Sequence, residues 1–162
     1  MVAKLLRTED DAVLAILRMA LGLVFFAHGV QDLGWLDVYS SNGGALEVVS
    51  ETAGISASLF LSATAALIGG LGLILGLFGR IAAFGLATNI LAAIMLVHGR
   101  HGFFMNWLGN QSGEGIEYHL LALAITLSVL LNGSGAFSFD QALLRHFAPK
   151  TALPFSARAA TS

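Results

Sequence analysis

The chain contains no cysteine. That excludes thiol redox chemistry, a disulfide scaffold, Cys-ligated metals and iron–sulfur clusters carried by this chain. Charge is scarce as well. Asp, Glu, Lys and Arg make up 11% of the 162 residues, against about a quarter in a soluble domain. A net charge of −2 leaves no electrostatic footprint for nucleic acid. Common catalytic signatures are missing too: there is no HExxH, no P-loop, no GxSxG elbow and no GxGxxG between strand and helix. Gly69-Gly70-Leu71-Gly72 lies in an apolar run and cannot cradle phosphate. No haem, flavin or iron–sulfur motif is read on the chain. An ordinary soluble enzyme is excluded.

Apolar length is what the sequence has instead. Hydrophobic residues make up 56% and the mean hydropathy is +0.79. Thr52–Gly79 carries no charge, and Ile81–Gly99 and Tyr118–Phe139 contain only His as a group that titrates near neutral pH. Apolar runs of about 20 residues have bilayer-spanning length. They are too Gly-rich and too continuous to alternate like barrel strands. The expected fold is therefore all-α: an integral membrane four-helix bundle with spans near 12–30, 55–78, 81–98 and 117–131. A single membrane domain would cover 1–148. Within it, Ser138 would cap a short amphipathic helix, Phe139–Phe147, lying on the cytoplasmic surface with Leu143, Leu144 and Phe147 to one side. Residues 149–162 would form a disordered cytoplasmic tail. The first outer loop is expected either to hold a short helix near Ala45–Thr52 or to cover the outer end of the bundle. A cleaved signal peptide is not expected, because Glu9, Asp10 and Asp11 follow the basic residues at once and Arg18 interrupts the apolar run.

The cations orient the spans. Lys4, Arg7, Arg80, Arg145, Lys150 and Arg158 fall on one side, Arg100 on the other and Arg18 within a span. The loop Gln31–Gly54 has four acids (Asp32, Asp37, Glu47, Glu51) and no basic residue. An excess of Lys and Arg marks the cytoplasmic side, so both termini are expected in the cytoplasm of a multi-pass inner-membrane protein. Trp35, Tyr39, Trp107 and Tyr118 are all the Trp and Tyr of the chain. All fall on the outer side, as interfacial anchors do.

Small residues predict the packing. Ser62, Ala65, Gly69, Gly72, Gly76 and Gly79 recur at 3-4-3-4-3 spacing down one face of the second span. Ala82, Gly85, Asn89 and Ala92 form a matching stripe on the third. Between lipid-facing helices, close backbone approach drives association more than apolar burial does. The two stripes are expected to meet, with Asn89 hydrogen-bonding across, and small faces could also support oligomers.

Ionisable groups in a span need a partner or a function. Arg18 shares a face with Gly22, Phe25 and Gly29, all within about 40° at about 100° per residue. It either snorkels to the inner headgroups or points inward to hold an anionic or carbonyl-bearing ligand such as a quinone head group. At the outer end, His28 and Asp32 close the first span, His98 closes the third with His101 after it, and Glu117 and His119 open the fourth. Antiparallel spans bring these ends to one membrane face. Arg18, His28, His98, Glu117 and His119 are the candidate residues for holding a quinone or moving protons. No spacing among them is diagnostic of a metal site. Glu117 and His119, two apart, point to different sides of a regular helix. Glu117 is expected to face inward with Leu121, Ala124 and Ser128.

These segments also carry a resemblance. Leu17-Arg18-Met19-Ala20-Leu21-Gly22, Phe26-Ala27-His28-Gly29-Val30-Gln31, Val97-His98-Gly99-Arg100-His101-Gly102-Phe103-Phe104, Gly115-Ile116-Glu117-Tyr118-His119-Leu120-Leu121 and Gly133-Ser134-Gly135-Ala136-Phe137-Ser138-Phe139-Asp140 resemble the DoxX family over about residues 12–140. The family includes the related DoxD small subunit of thiosulfate:quinone oxidoreductase. The resemblance implies a four-helix membrane protein tied to quinone-linked redox or sulfur metabolism. Arg18, Gly22, His28, Gly29, Glu117 and Asp140 stand at family-like positions. Asp32 departs from the pattern, standing where members often have Lys. Two functions are expected to compete: a quinone-interacting subunit of a membrane oxidoreductase, drawing electrons from partner subunits or from the substrate, and a non-catalytic anchor or scaffold of a larger complex. A transporter is disfavoured by so few spans.

Overall fold

The computed structural model describes residues 6–33 and 56–147. Trp35, Tyr39, the segment Ala45–Thr52 and residues 149–162 lie outside the described residues. Among those described, the chain is all-helical with no strand. The elements are α1 (Ala12–Asp32), α2 (Ser56–Leu75), α3 (Gly79–Leu96), a 3-10 turn (His98–His101), α4 (Glu117–Asn132) and α5 (Phe139–Phe147). α1 and α3 are long and apolar enough to cross a membrane, with mean hydropathies of 2.0 and 1.6. The stretch Leu59–Leu75 of α2 and the whole of α4 are apolar but shorter.

Helix ends follow local chemistry. Asp11 is extended and its Oδ1 accepts from the N–H groups of Val13 (2.8 Å) and Leu14 (3.1 Å), an N-cap for α1. α2 stops at Gly76, whose φ of +63° is left-handed. The Leu77 N–H donates to Gly72 O at 2.9 Å and the Gly76 N–H to Leu73 O at 3.2 Å, the paired bonds of a Schellman stop. Gly76 therefore ends α2 instead of extending its packing stripe. Ser138 Oγ accepts from the Gln141 N–H at 3.2 Å and caps α5 as expected. α5 is anchored more firmly than a helix resting on a surface: Leu144 is buried against Leu6, and Asp140 is buried.

α1 packs most extensively on α2, α3 lies against both α2 and α4, and α1 meets α4 over a smaller area. The closest crossing is between α1 and α2. A Cβ on Gly70 would stand 2.4 Å from the Phe26 backbone N, and one on Gly29 would stand 2.5 Å from Leu67 N. The spacing on α1 predicts its side of this contact, since Arg18, Gly22, Phe25 and Gly29 are all buried. Gly70, on the α2 side, falls off the predicted stripe. The stripe meets α3 only in part. Gly72 faces Ala82 and Gly69 faces Leu86. Ser62 Oγ donates to Asn89 Oδ1 at 2.7 Å, and Asn89 Nδ2 donates to Ser62 O at 3.3 Å. Gly85 is exposed with nothing near it, so it does not belong to this interface.

The outward faces are apolar too. Ile16, Leu23, Phe84 and Leu121 are each more than 60% exposed. Helices apolar all round, with large hydrophobic side chains turned outward, suit a lipid surround rather than water.

The two glycines give a paired test. Gly70→Ala should lower stability by about 1–3 kcal/mol through overpacking against backbone that cannot retreat. Gly85→Ala should leave it within about 0.5 kcal/mol. Unfolding of both variants in mixed micelles would separate the two cases.

Candidate functional site

Polar side chains gather at the two ends of the helices. Arg18 and His28 are ten residues apart on α1, roughly 15 Å along its axis. They belong to different groups.

At the end carrying Arg18, the guanidinium is fully buried. Its Nη1 donates to Leu73 O and to Ile74 O (3.0 Å). These are carbonyls in the last turn of α2, where the helix dipole is negative and a cation is favoured. Asp140 serves the opposite pole. Phe78, left-handed at φ 48°, precedes α3 and supplies no side-chain cap. Asp140 reaches across from α5 to cap it: Oδ1 accepts from the Phe78 N–H (2.7 Å), and Oδ2 accepts from the Gly79 N–H (2.9 Å) and Ser134 Oγ (2.6 Å). Its own N–H donates to Gly76 O at 2.9 Å. The two charges attract each other past Gly76, where a Cβ would strike Ser138 Cβ at 2.5 Å and Arg18 Nη1 at 2.7 Å. Two Arg18 nitrogens, Nε and Nη2, are buried without partners. The turn 133–136 is buried throughout. The Gly135 N–H donates to Thr8 Oγ1 at 2.6 Å, and the Ala136 N–H donates to Asp11 O at 3.0 Å.

At the other end, α1, α3 and α4 bring rings together. The His98 and His119 centroids lie 4.2 Å apart, His119 and Tyr118 5.5 Å, and Tyr118 and His28 6.4 Å. His28 and His98 both act electrostatically on His119, and His28 acts on Asp32 one turn away. His98 Nδ1 lies 2.9 Å from the Glu114 carbonyl oxygen. That oxygen can only accept, so Nδ1 carries a proton, and Nε2 is the free acceptor of the neutral ring. His119 is buried and its Nδ1 has no hydrogen-bond partner; the Tyr118 hydroxyl is likewise buried and unpartnered.

Glu117 does not join the rings. The Met105 N–H donates to its Oε2 at 3.2 Å. The Glu117 N–H donates to Phe103 O (2.8 Å) and the Ile116 N–H to Gly102 O (3.2 Å). Glu117 therefore pins the loop that follows the 3-10 turn. The expected inward face of α4 is overturned: Leu121 and Ala124 are exposed, and the inward residues are His119, Ala122, Thr126 and Val129. His101 lies apart, its Nδ1 at 3.2 Å from Ser112 Oγ. Among the described residues, no three His, Asp or Glu side chains are arranged to hold a metal ion.

Of the five candidates, His28, His98 and His119 come together. Arg18 sits at the far end, and Glu117 turns to the loop. Tyr118 joins the cluster although the sequence marks it only as an interfacial aromatic; its place beside His119 was the available signal. Asp140 is the only acid after Glu117, two residues past a capping Ser, which was the signal for its role.

An all-helical arrangement with lipid-suited outer faces and buried polar groups at both ends defines a membrane protein. The DoxX family model matches residues 13–99, and the chain belongs to the DoxX family. That match takes in Arg18, His28 and His98 and stops before α4. No curated protein and no solved structure matches the chain.

Two predictions follow from these contacts. Asp140→Ala strips the N–H groups opening α3 of their acceptor and leaves Arg18 without its counter-charge. Loss of about 3–5 kcal/mol is expected, and a thermal melt would measure it. Glu117→Ala should raise amide exchange across 103–106, whereas Glu117→Gln, which keeps a carbonyl acceptor, should preserve most of the protection.

Proposed function

We propose that this chain is a four-span bundle of the inner membrane, with both termini cytoplasmic, that binds a quinone head group at the outer ends of α1, α3 and α4. It would do so as a subunit of a membrane oxidoreductase whose other subunits supply electrons. The observation that carries this reading is the pair of buried, unpartnered groups Tyr118 Oη and His119 Nδ1 within the run of rings His28, Tyr118, His119 and His98.

A quinone head is flat and apolar on its faces, with acceptor oxygens at its edge. Rings offer it stacking surface. A buried donor without an acceptor costs about 1–3 kcal/mol, so a ligand carrying carbonyl oxygens recovers that energy at Tyr118. At His119 the recovery requires the Nδ1–H form, or a hydroxyl on the reduced head group as donor. The free Nε2 of His98 is an acceptor for a hydroxyl of the reduced head group. The ends of apolar helices are also where a lipid-soluble ligand would arrive from the bilayer.

A scaffold role is the second reading. The other buried charges, Arg18 and Asp140, serve helix ends. In addition, the exposed face of α3 at Gly85 leaves room for a neighbouring helix.

Titration of the purified chain with a short-chain benzoquinone separates the two. Tyr118→Phe and His119→Leu should each weaken binding about tenfold, at the upper end for a neutral hydrogen bond, with helix content unchanged. If the double variant binds as tightly as the parent, or the parent binds nothing, the quinone reading fails. If assembly of the oxidoreductase still depends on the chain while quinone turnover ignores both substitutions, the scaffold reading stands.

A further inference from the structure

Opposite the ring cluster, the end carrying Arg18 opens a cleft of about 260 Å³, lined by Arg7, Thr8, Glu9, Arg80, Leu131 and Asn132. It stands where the apolar stretches stop: just before α1, at the start of α3 and at the end of α4. We propose that this cleft binds a phosphate-bearing anion, and that its occupant is the headgroup of an anionic phospholipid.

The charge of the walls points to an anion. Two guanidinium groups face one carboxylate there. Arg80 is already built into the wall: Nη1 donates to Leu130 O and Nη2 to Arg7 O (3.2 Å). These bonds tie α3 to the end of α4 and to the segment before α1, which fixes the cation in place. Its Nε is buried with no partner, the one nitrogen of that guanidinium left over once Nη1 and Nη2 are engaged. Arg7 is exposed and, among the described residues, its guanidinium has no partner. A guanidinium presents several fixed donors matched to phosphate oxygens. The carbonyls that would repel an anion are partly engaged, since Arg80 holds Leu130 O and the Glu9 N–H donates to Asn132 O at 3.3 Å. The volume is several times a water's share of about 30 Å³, enough for a phosphate group.

Leu131 favours a lipid over free phosphate. It is 72% exposed beside the cleft, and Leu127, one turn back on the same face of α4, is half-exposed. The two leucines lead away from the cations along the outward surface of α4, as an acyl chain would. Glu9 is the opposing element, and its carboxylate limits affinity.

Native mass spectrometry of the full-length chain in detergent, with phosphatidylglycerol or phosphatidylcholine added, tests this. One phosphatidylglycerol per chain should bind about tenfold more tightly than phosphatidylcholine. Arg7→Gln should remove most of that preference, and Glu9→Gln should increase it. Arg80 also holds helices together, so the test rests on the Arg7 side chain; the Arg7 carbonyl that Arg80 holds is untouched by the substitution. Inorganic phosphate is the competing arm. If it displaces the lipid at millimolar concentration and Arg7→Gln abolishes that effect, the anion site stands and its occupant is free phosphate. If it does not displace, the lipid assignment stands. Equal phosphatidylglycerol binding by the parent and Arg7→Gln overturns the site.

Discussion

A helix end inside or near a bilayer exposes carbonyls or N–H groups that water cannot reach, and each unpaired group costs several kcal/mol. The contact between Arg18, the end of α2, the start of α3 and Asp140 answers that constraint at a sharp reversal of the chain. A buried cation takes up α2 carbonyls, a buried carboxylate takes up α3 N–H groups, and each charge offsets the other. Only a glycine at 76 leaves room for the Arg18 guanidinium and for Ser138 at the start of α5. The short α2–α3 connection and the docking of α5 follow from this contact.

Once that end is fixed, the far ends of α1, α3 and α4 have defined positions. That rigidity holds the His98 and His119 rings 4.2 Å apart and tilted by 40°, while Tyr118 Oη and His119 Nδ1 stay unpaired. A loosely held end would relax until those groups found partners. The loop pinned by Glu117 adds to the constraint, because it sets the Glu114 carbonyl against His98. Both ends keep buried polar atoms without partners: Arg18 Nε and Nη2 and Arg80 Nε at one, Tyr118 Oη and His119 Nδ1 at the other.

The helices were legible in the sequence because apolar length and residue type are local properties. The inward face of α1 was legible because Arg18, Gly22, Phe25 and Gly29 all mark one side. The α4 face was not. Glu117 looks like the residue to bury, yet a carboxylate at a helix start can satisfy itself on a nearby loop N–H, and His119 takes the inward position. The second-span stripe holds only in part: Ser62, Gly69 and Gly72 do meet α3. Gly76 serves a turn, Gly79 makes room for Ser134, and Gly70, off the stripe, makes the tightest helix crossing.

The sequence by itself determined that this is a helical membrane protein, where its helices run, and that His residues gather at three helix ends. Those properties depend on hydropathy and on residues close in the chain. Tertiary structure alone decided that Arg18 answers to carbonyls 55 residues away and that Asp140 caps a helix 61 residues before it. It also decided which of two neighbouring polar residues on α4 faces inward. Such pairings depend on which helix ends meet in space, and spacing along one chain carries no record of that.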